Sequence, residues 1–140
     1  MTPVLNADQL QAVLADSFPL GDVPTVELVE DDVVVVSQRV HEGHGRPGGT
    51  VSGPTMMALA DLAAWLVTMA HVGPVLLAVT TSLHIDFLRK PTLTDVVARA
   101  RLIKLGKRLS VSDVEIFSRG SEKLVAKAQV TYSLPSTPSN

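Results

Sequence analysis

The sequence contains no cysteine. That excludes a disulfide framework, a thiolate nucleophile and a thiolate-held zinc site, and it fits a cytoplasmic protein. No sign of charge predominates: 12 Lys and Arg stand against 14 Asp and Glu, a formal net charge of −2. A broad basic footprint for nucleic acid is therefore missing. The first residues, MTPVLNADQLQAVLADSF, lack the basic start and apolar centre of a secretory signal. One uncharged run, Leu62 to Val79, is long enough to raise the question of a membrane span. Gly73-Pro74 interrupts it, Asp61 sits just before it in the same helical pattern, and its second half leads into an alternating segment. A core helix followed by a strand accounts for it better, and no membrane partner is expected.

What is present is enough chain, 140 residues, for one domain with its own core. Asn6 with Gln9 three residues on predicts a capped helix whose apolar face is Leu10, Val13, Leu14 and Phe18, ended by Pro19 and Gly21. Thr25–Val29 and Val33–Val40 read as strands around the turn Glu30-Asp31-Asp32. A glycine-rich loop, His41–Gly53, precedes a helix from about Pro54 to Val72 that is apolar on nearly every side. Four strands follow: Ala78–Leu88, Val96–Lys104, Leu109–Ser118 and a last one through Leu124, Ala126, Ala128, Val130 and Tyr132. Arg99 and Arg101 are expected to face outward, and a change of phase near Asp113 suggests a bulge or bend there. One domain over 1–134 and a disordered tail over 135–140 complete the expectation. The order predicts an α+β fold, an antiparallel sheet wrapped around one long central helix. One sheet of this size does not close around such a helix, so a partner subunit is expected to cover the rest.

Asp61 is the only charged side chain in the central helix, flanked by Leu59, Ala60, Leu62 and Ala63. A carboxylate in apolar surroundings is either paired with a donor for structural reasons or functional. Ser52-Gly53-Pro54 at the start of the same helix is an ordinary helix opening. It is also a place where free N–H groups can meet an anion or a developing oxyanion. Oxyanion donors and a carboxylate on one helix suit attack on a carbonyl. Met57 and Trp65, four residues either side of Asp61, share its helix face and are expected to be core or acyl-pocket lining. His41 and His44 form His-Glu-Gly-His within a loop, which lacks a third ligand and helical spacing, so no metal site is expected. His71 reads as a helix-end residue and His84 as a strand residue.

The stretches GTVSGPTMMALADLAAW, AVTTSLHIDFLRKP, LIKLGKRL and LVAKAQVTYS together resemble the hotdog-fold acyl-CoA thioesterases, in the branch of the phenylacetate-degradation thioesterase PaaI. The resemblance runs from about Gly43 to Tyr132. It implies a thioester hydrolase acting on acyl-coenzyme A, with no cofactor beyond the coenzyme A of the substrate, in a homodimer or a tetramer of two dimers. Asp61 matches the catalytic base or nucleophile and Gly53 the oxyanion donor. Thr80, with Thr81 as rival, matches the hydroxyl that orients water or carboxylate. Arg89 and Lys90 match the basic end of a strand, and Lys107 and Arg108 a turn near the coenzyme A phosphates. The chain departs from the family pattern where Ser52 replaces a His, Pro54 a second Gly and Arg46 an Asn that contacts substrate. Pro54 has no N–H to donate. Two other functions fit the residues less well: a non-catalytic acyl-CoA binding protein, and a hotdog enoyl-thioester hydratase or dehydratase, for which His44 is the candidate histidine.

Overall fold

The computed structural model describes residues 1–19 and 21–136. Most of the expected tail, 137–140, lies outside them. Helix α1 is Ala7–Ser17, and its capping box forms as the spacing predicts: Asn6 accepts from the Gln9 N–H at 2.9 Å, and Gln9 accepts from the Asn6 N–H at 2.8 Å. Leu10 and Leu14 are fully buried, and Val13 packs against the core. Strands β1 (Thr25–Glu30) and β2 (Val33–Gln38) form a hairpin whose turn holds Asp32 at φ 63°. The glycine-rich segment is more structured than a loop. It contains a 3-10 turn at Glu42–His44 and a minimal hairpin, β3 (Gly45–Arg46) with β4 (Thr50–Val51). Gly48 and Gly49 take positive φ at its tip.

Helix α2 runs Gly53–Val72 and is followed by β5 (Val79–Phe87), β6 (Val96–Leu105), β7 (Leu109–Ser118) and β8 (Leu124–Ser133). The six long strands form one sheet in the order β1-β2-β6-β7-β8-β5, with every pairing antiparallel. Period-two alternation sends Val34, Val36, Val96, Ala98, Ala100, Val114, Ile116, Ala126, Ala128 and Val130 into the core. Arg99 and Arg101 face out as expected. A six-stranded antiparallel sheet curled around one long helix is the hotdog fold that the resemblance implies. By length and composition α2 could cross a membrane, but 67% of its apolar window is buried inside this fold.

One expectation is corrected. No bulge lies at Asp113: β7 buries alternate residues without interruption, Ser110, Ser112, Val114 and Ile116. The apparent change of phase arises because the first two inward positions are serines. Ser110 is satisfied by Thr68 of α2, hydroxyl to hydroxyl at 2.7 Å, whereas the Ser112 hydroxyl is buried without a partner among the described residues. The register shifts lie elsewhere, between Leu102 and Lys104 on β6, between Thr80 and Ser82 on β5, and where Ile116 and Phe117 face Ala126 and Leu124. Coverage of the helix is partial within one chain. Ala63 to His71 is buried, so α1 and the sheet cover that half. The exposed part of α2 is its first half, at Pro54, Met57 and Ala58.

His71 closes the C-terminal end of α2. Its Nδ1 donates to the Val67 carbonyl at 2.8 Å, and its Nε2 accepts from the Asp32 N–H at 2.9 Å. A helix-end histidine thus anchors the β1–β2 turn, and Asp32 in turn pairs with the N-terminal ammonium at 2.9 Å.

Candidate active site

The first turn of α2 is set by Ser52. Its backbone N–H donates to the His44 carbonyl at 2.8 Å, and its hydroxyl caps the helix by accepting from the Thr55 N–H at 3.3 Å. The same hydroxyl lies 2.8 Å from Thr55 Oγ1, which donates to the His44 carbonyl at 3.2 Å. The Ser52 side chain is therefore engaged in the cap. Gly53 begins the helix, and its N–H is one of the donors a helix leaves without an intrahelical acceptor. The Phe87 ring packs over it, so that a Cβ at position 53 would lie 3.4 Å from Phe87 Cζ.

Two turns on, Asp61 is half-buried, not sealed in the core as its apolar flanks suggested. Two donors from the sheet meet it. Thr80 Oγ1 donates to Asp61 Oδ1 at 2.6 Å. Tyr132 OH donates to the same Oδ1 at 2.9 Å and lies 3.0 Å from the Asp61 backbone carbonyl. Thr80 and Tyr132 are directly opposed across the β5–β8 ladder, and the register shift falls immediately after them, at Thr81. A bulge there re-aims the side chains on either side. It brings Thr80 to the helix and sends Thr81 to the Thr131 carbonyl at 3.3 Å, which separates the two rival threonines. Burial pushes the Tyr132 phenol well above its usual range. A Thr80 hydrogen bond opposes this, while the Asp61 charge and hydrogen bond add to it, so the hydroxyl stays a donor.

Asp61, Thr80 and Tyr132 line a cavity of about 840 Å³ along α2. Its wall is otherwise mostly apolar, with Phe18, Leu62, Trp65, Leu76 and Val79. Trp65 is fixed by its Nε1–H to the Val75 carbonyl at 3.2 Å and by an edge-on contact with Phe18, ring centres 6.4 Å apart. His44 and Asp22 also reach this cavity. A second cavity of about 470 Å³ lies on the other side of the helix start, lined by Gly53, Phe87 and three basic residues, Arg46, Arg89 and Lys90. Arg89 spends one guanidinium N–H on the Leu124 carbonyl at 2.7 Å.

The structure thus gathers Asp61, Thr80 and Trp65 in one place and Gly53, Arg46, Arg89 and Lys90 in another. It does not place Gly53 and Asp61 around one point within a chain. They open on different cavities, and eight residues of helix separate them by about 12 Å along the axis. Met57 lines neither cavity and is exposed; four residues from Asp61 is a shared face, but the side chain leaves it. Lys107 and Arg108 are exposed on the β6–β7 turn and line neither cavity. Two residues at the first cavity were not anticipated there. Tyr132 was legible as an inward position of β8, but its partner was not. From the sequence, His44 reads only as a candidate metal ligand or dehydratase histidine.

Asp22, His41 and His44 bring ligand-type atoms within 4.8 Å of one another. Their hydrogen bonds argue against a cation. His44 Nδ1 accepts from the His41 N–H at 3.1 Å, and His41 Nδ1 accepts from the Gly43 N–H at 3.0 Å. In the neutral rings the proton is therefore on Nε2, which makes that atom a donor rather than a ligand. His41 Nε2 accordingly faces Asp22 at 3.7 Å.

The sequence profile of the Thioesterase superfamily matches residues 48–132, from the β3–β4 hairpin to Tyr132. A candidate thioesterase of Silicibacter sp. TM1040 is 42% identical, over 96% of this chain and 95% of its own, with a TM-score of 0.88. A mutant of the phenylacetic acid degradation protein PaaI from Thermus thermophilus is 31% identical, over 86% of this chain and all of its own, with a TM-score of 0.72. A thioesterase of Haemophilus influenzae shares the fold at a TM-score of 0.84 and 20% identity, over 96% of this chain and 95% of its own.

Proposed function

The chain belongs to the thioesterase superfamily and is a thioester hydrolase, and from that premise we propose that it hydrolyses acyl thioesters of coenzyme A with Asp61 as base or nucleophile. The observation that carries this reading is the Asp61 carboxylate, hydrogen-bonded by Thr80 at 2.6 Å and set into the wall of an apolar cavity. As base, Asp61 removes a proton from water, and the resulting hydroxide adds to the thioester carbon. The tetrahedral intermediate then collapses to the free acid and a thiolate, which takes the proton back from the Asp61 carboxyl. As nucleophile, Asp61 would expel the thiolate directly and form an anhydride that water then opens. The apolar wall formed by Leu62, Trp65 and Phe18 suits the acyl group.

The oxyanion donor in this reading is the Gly53 N–H, backed by the positive end of the helix dipole. One carbonyl has to lie about 3 Å from both the donor and the attacking oxygen. Two groups about 12 Å apart on one helix do not satisfy that. A second copy of the chain does, by presenting its Gly53 to this chain's Asp61. Strand β5 offers the edge for such pairing: among the described strands it pairs only with β8, and Leu76, Val79, Phe87 and Leu88 are exposed on or beside it. We therefore propose a homodimer, or a tetramer of dimers, with the site shared between subunits. Arg46, Arg89 and Lys90 around the Gly53 cavity then suit the phosphates of coenzyme A, with Lys107 and Arg108 as further exposed cations. No cofactor enters the reaction, and the absence of cysteine and of a basic footprint supports a cytoplasmic enzyme without a nucleic-acid partner.

The test is a panel of acyl-CoA substrates differing in the acyl group, read by release of free thiol. Release well above the enzyme-free rate for part of the panel is expected; no release from any member overturns the substrate assignment. A second reading is favoured by His44, which lines the same cavity as Asp61. A hydratase acting on enoyl-CoA would use such a pair, and loss of enoyl absorbance without thiol release would select it.

A further inference from the structure

We infer that Tyr132 is a positioning residue for the hydrolysis, and that with Thr80 it designates Asp61 Oδ2 as the reacting oxygen. This deepens the reading of Asp61 given above and rests on it. Both sheet hydroxyls donate to one carboxylate oxygen, Thr80 to Oδ1 at 2.6 Å and Tyr132 to Oδ1 at 2.9 Å. Oδ2 has no partner among the described residues, although the carboxylate stands in the wall of the cavity. A carboxylate with one oxygen doubly occupied has a fixed torsion and one free acceptor. Water held by Oδ2, or a thioester carbon approached by it, meets that oxygen in a single orientation, which a freely rotating side chain would not provide.

The fold builds the clamp deliberately. Tyr132 and Thr80 are a cross-strand pair, so their side chains leave the sheet together on the helix side. The register shift after Thr80 turns Thr81 away, which stops a second hydroxyl from competing. Tyr132 is 6% exposed and its hydroxyl also meets the Asp61 backbone carbonyl at 3.0 Å, so the donor is tied to the helix as well as to the carboxylate. A hydroxyl held this way is not free to follow the substrate; it can only hold the group that does the chemistry.

The decisive variant is Tyr132→Phe, which keeps the ring and removes one oxygen. Its kcat for an acyl-CoA should fall about ten- to a hundredfold, the scale of one hydrogen bond to a charged group, while KM stays within about twofold. A merely structural tyrosine would lower the melting temperature and leave kcat per folded molecule intact, so circular dichroism and thermal melts accompany the kinetics. Thr80→Val tests the same clamp from the other strand and should show the same kcat-against-KM pattern. In an Asp61→Asn background, measured in single turnovers with enzyme in excess, Tyr132→Phe should cost less than about twofold, because nothing is left to position. Wild-type kcat in a folded Tyr132→Phe protein, or an undiminished loss in the Asp61→Asn background, overturns the inference. Full activity of Asp61→Asn itself overturns instead the reading on which it rests, so the two failures are distinguishable.

Discussion

Thr80 and Asp61 stand 19 residues apart in the chain and are joined by a 2.6 Å hydrogen bond between Oγ1 and Oδ1. The bond ties the start of β5 to the middle of α2 and leaves Asp61 in the wall of the larger of the two cavities. If Asp61 does the chemistry, Asp61→Asn keeps the shape but removes the proton acceptor. Turnover should fall by roughly two to four orders of magnitude, the range for losing a positioned base, with the fold retained. Kinetics and melting temperature measured on one preparation check this. Persistent activity with a lowered melting temperature would make Asp61 structural.

Ser52 stands where the family pattern has a histidine, but its hydroxyl is committed to the helix cap through Thr55. Ser52→Ala should therefore cost stability, about 1 kcal/mol for a lost N-cap, and change kcat by less than about threefold. A denaturant titration with parallel assays reads both. A large loss of kcat in a folded protein would mean that Ser52 contacts the substrate.

Arg46 and Lys90 lie around the Gly53 cavity, whereas Lys107 and Arg108 line neither cavity of the single chain. Replacing Arg46 and Lys90 together with Ala should raise KM for acyl-CoA more than it lowers kcat, the pattern of lost uniform binding. The effect should shrink at high salt and be absent with a short acyl-pantetheine substrate. Lys107→Ala with Arg108→Ala should give a smaller rise. Equal effects on both substrates would show that these cations do not hold the phosphates.

Glu27 on β1 and Arg119 beyond β7 form a two-pronged pair, one arm of which is Arg119 Nη1 to Glu27 Oε1 at 3.0 Å. The Arg119 hydrogen bond is the main cause holding the Glu27 carboxyl below its usual range, with burial opposing it. A depressed carboxylate contributes stability above its unfolded pKa of about 4.3 and loses it as pH falls through the folded value. Arg119→Met should thus be destabilised at neutral pH, by no more than about 1 kcal/mol for a partly exposed pair. The gap should close below about pH 4. Denaturant midpoints across pH measure it; a gap that persists in acid would assign the loss to packing.

On the strand face that meets α2, Ser112 buries a hydroxyl with no partner among the described residues. Ser112→Ala should leave the protein equally stable or more stable by up to about 1 kcal/mol, since the unpaired group carries a desolvation cost. His71→Leu should do the reverse, losing about 1 kcal/mol with the hydrogen bond from the Asp32 N–H, which keeps the Met1 carbonyl at 3.2 Å as its other acceptor. Melting curves compare the two with wild type.

The sequence by itself determined the elements and their faces. Periodicity is local, so the capping box at Asn6, the apolar helix and the inward run of β8 through Val130 and Tyr132 could be read without a structure. The isolated charge at Asp61 stood out for the same reason: one carboxylate in an apolar helix is visible in one dimension. Tertiary structure decided which groups meet. The choice of Thr80 over Thr81 depends on a register shift in β5, and a shift of one residue changes the face of every side chain that follows. The Ser110 and Ser112 pair looked like a break in alternation because sequence shows polarity and not direction. The partnership of Tyr132 with Asp61, 71 residues apart, exists only because β8 and α2 are packed across the core. The opening of Gly53 and Asp61 onto two cavities was not legible from the motif. Eight residues of helix carry Asp61 about 12 Å along the axis from Gly53, and only the packing around the helix shows that Pro54 borders both cavities while Gly53 and Asp61 each line one.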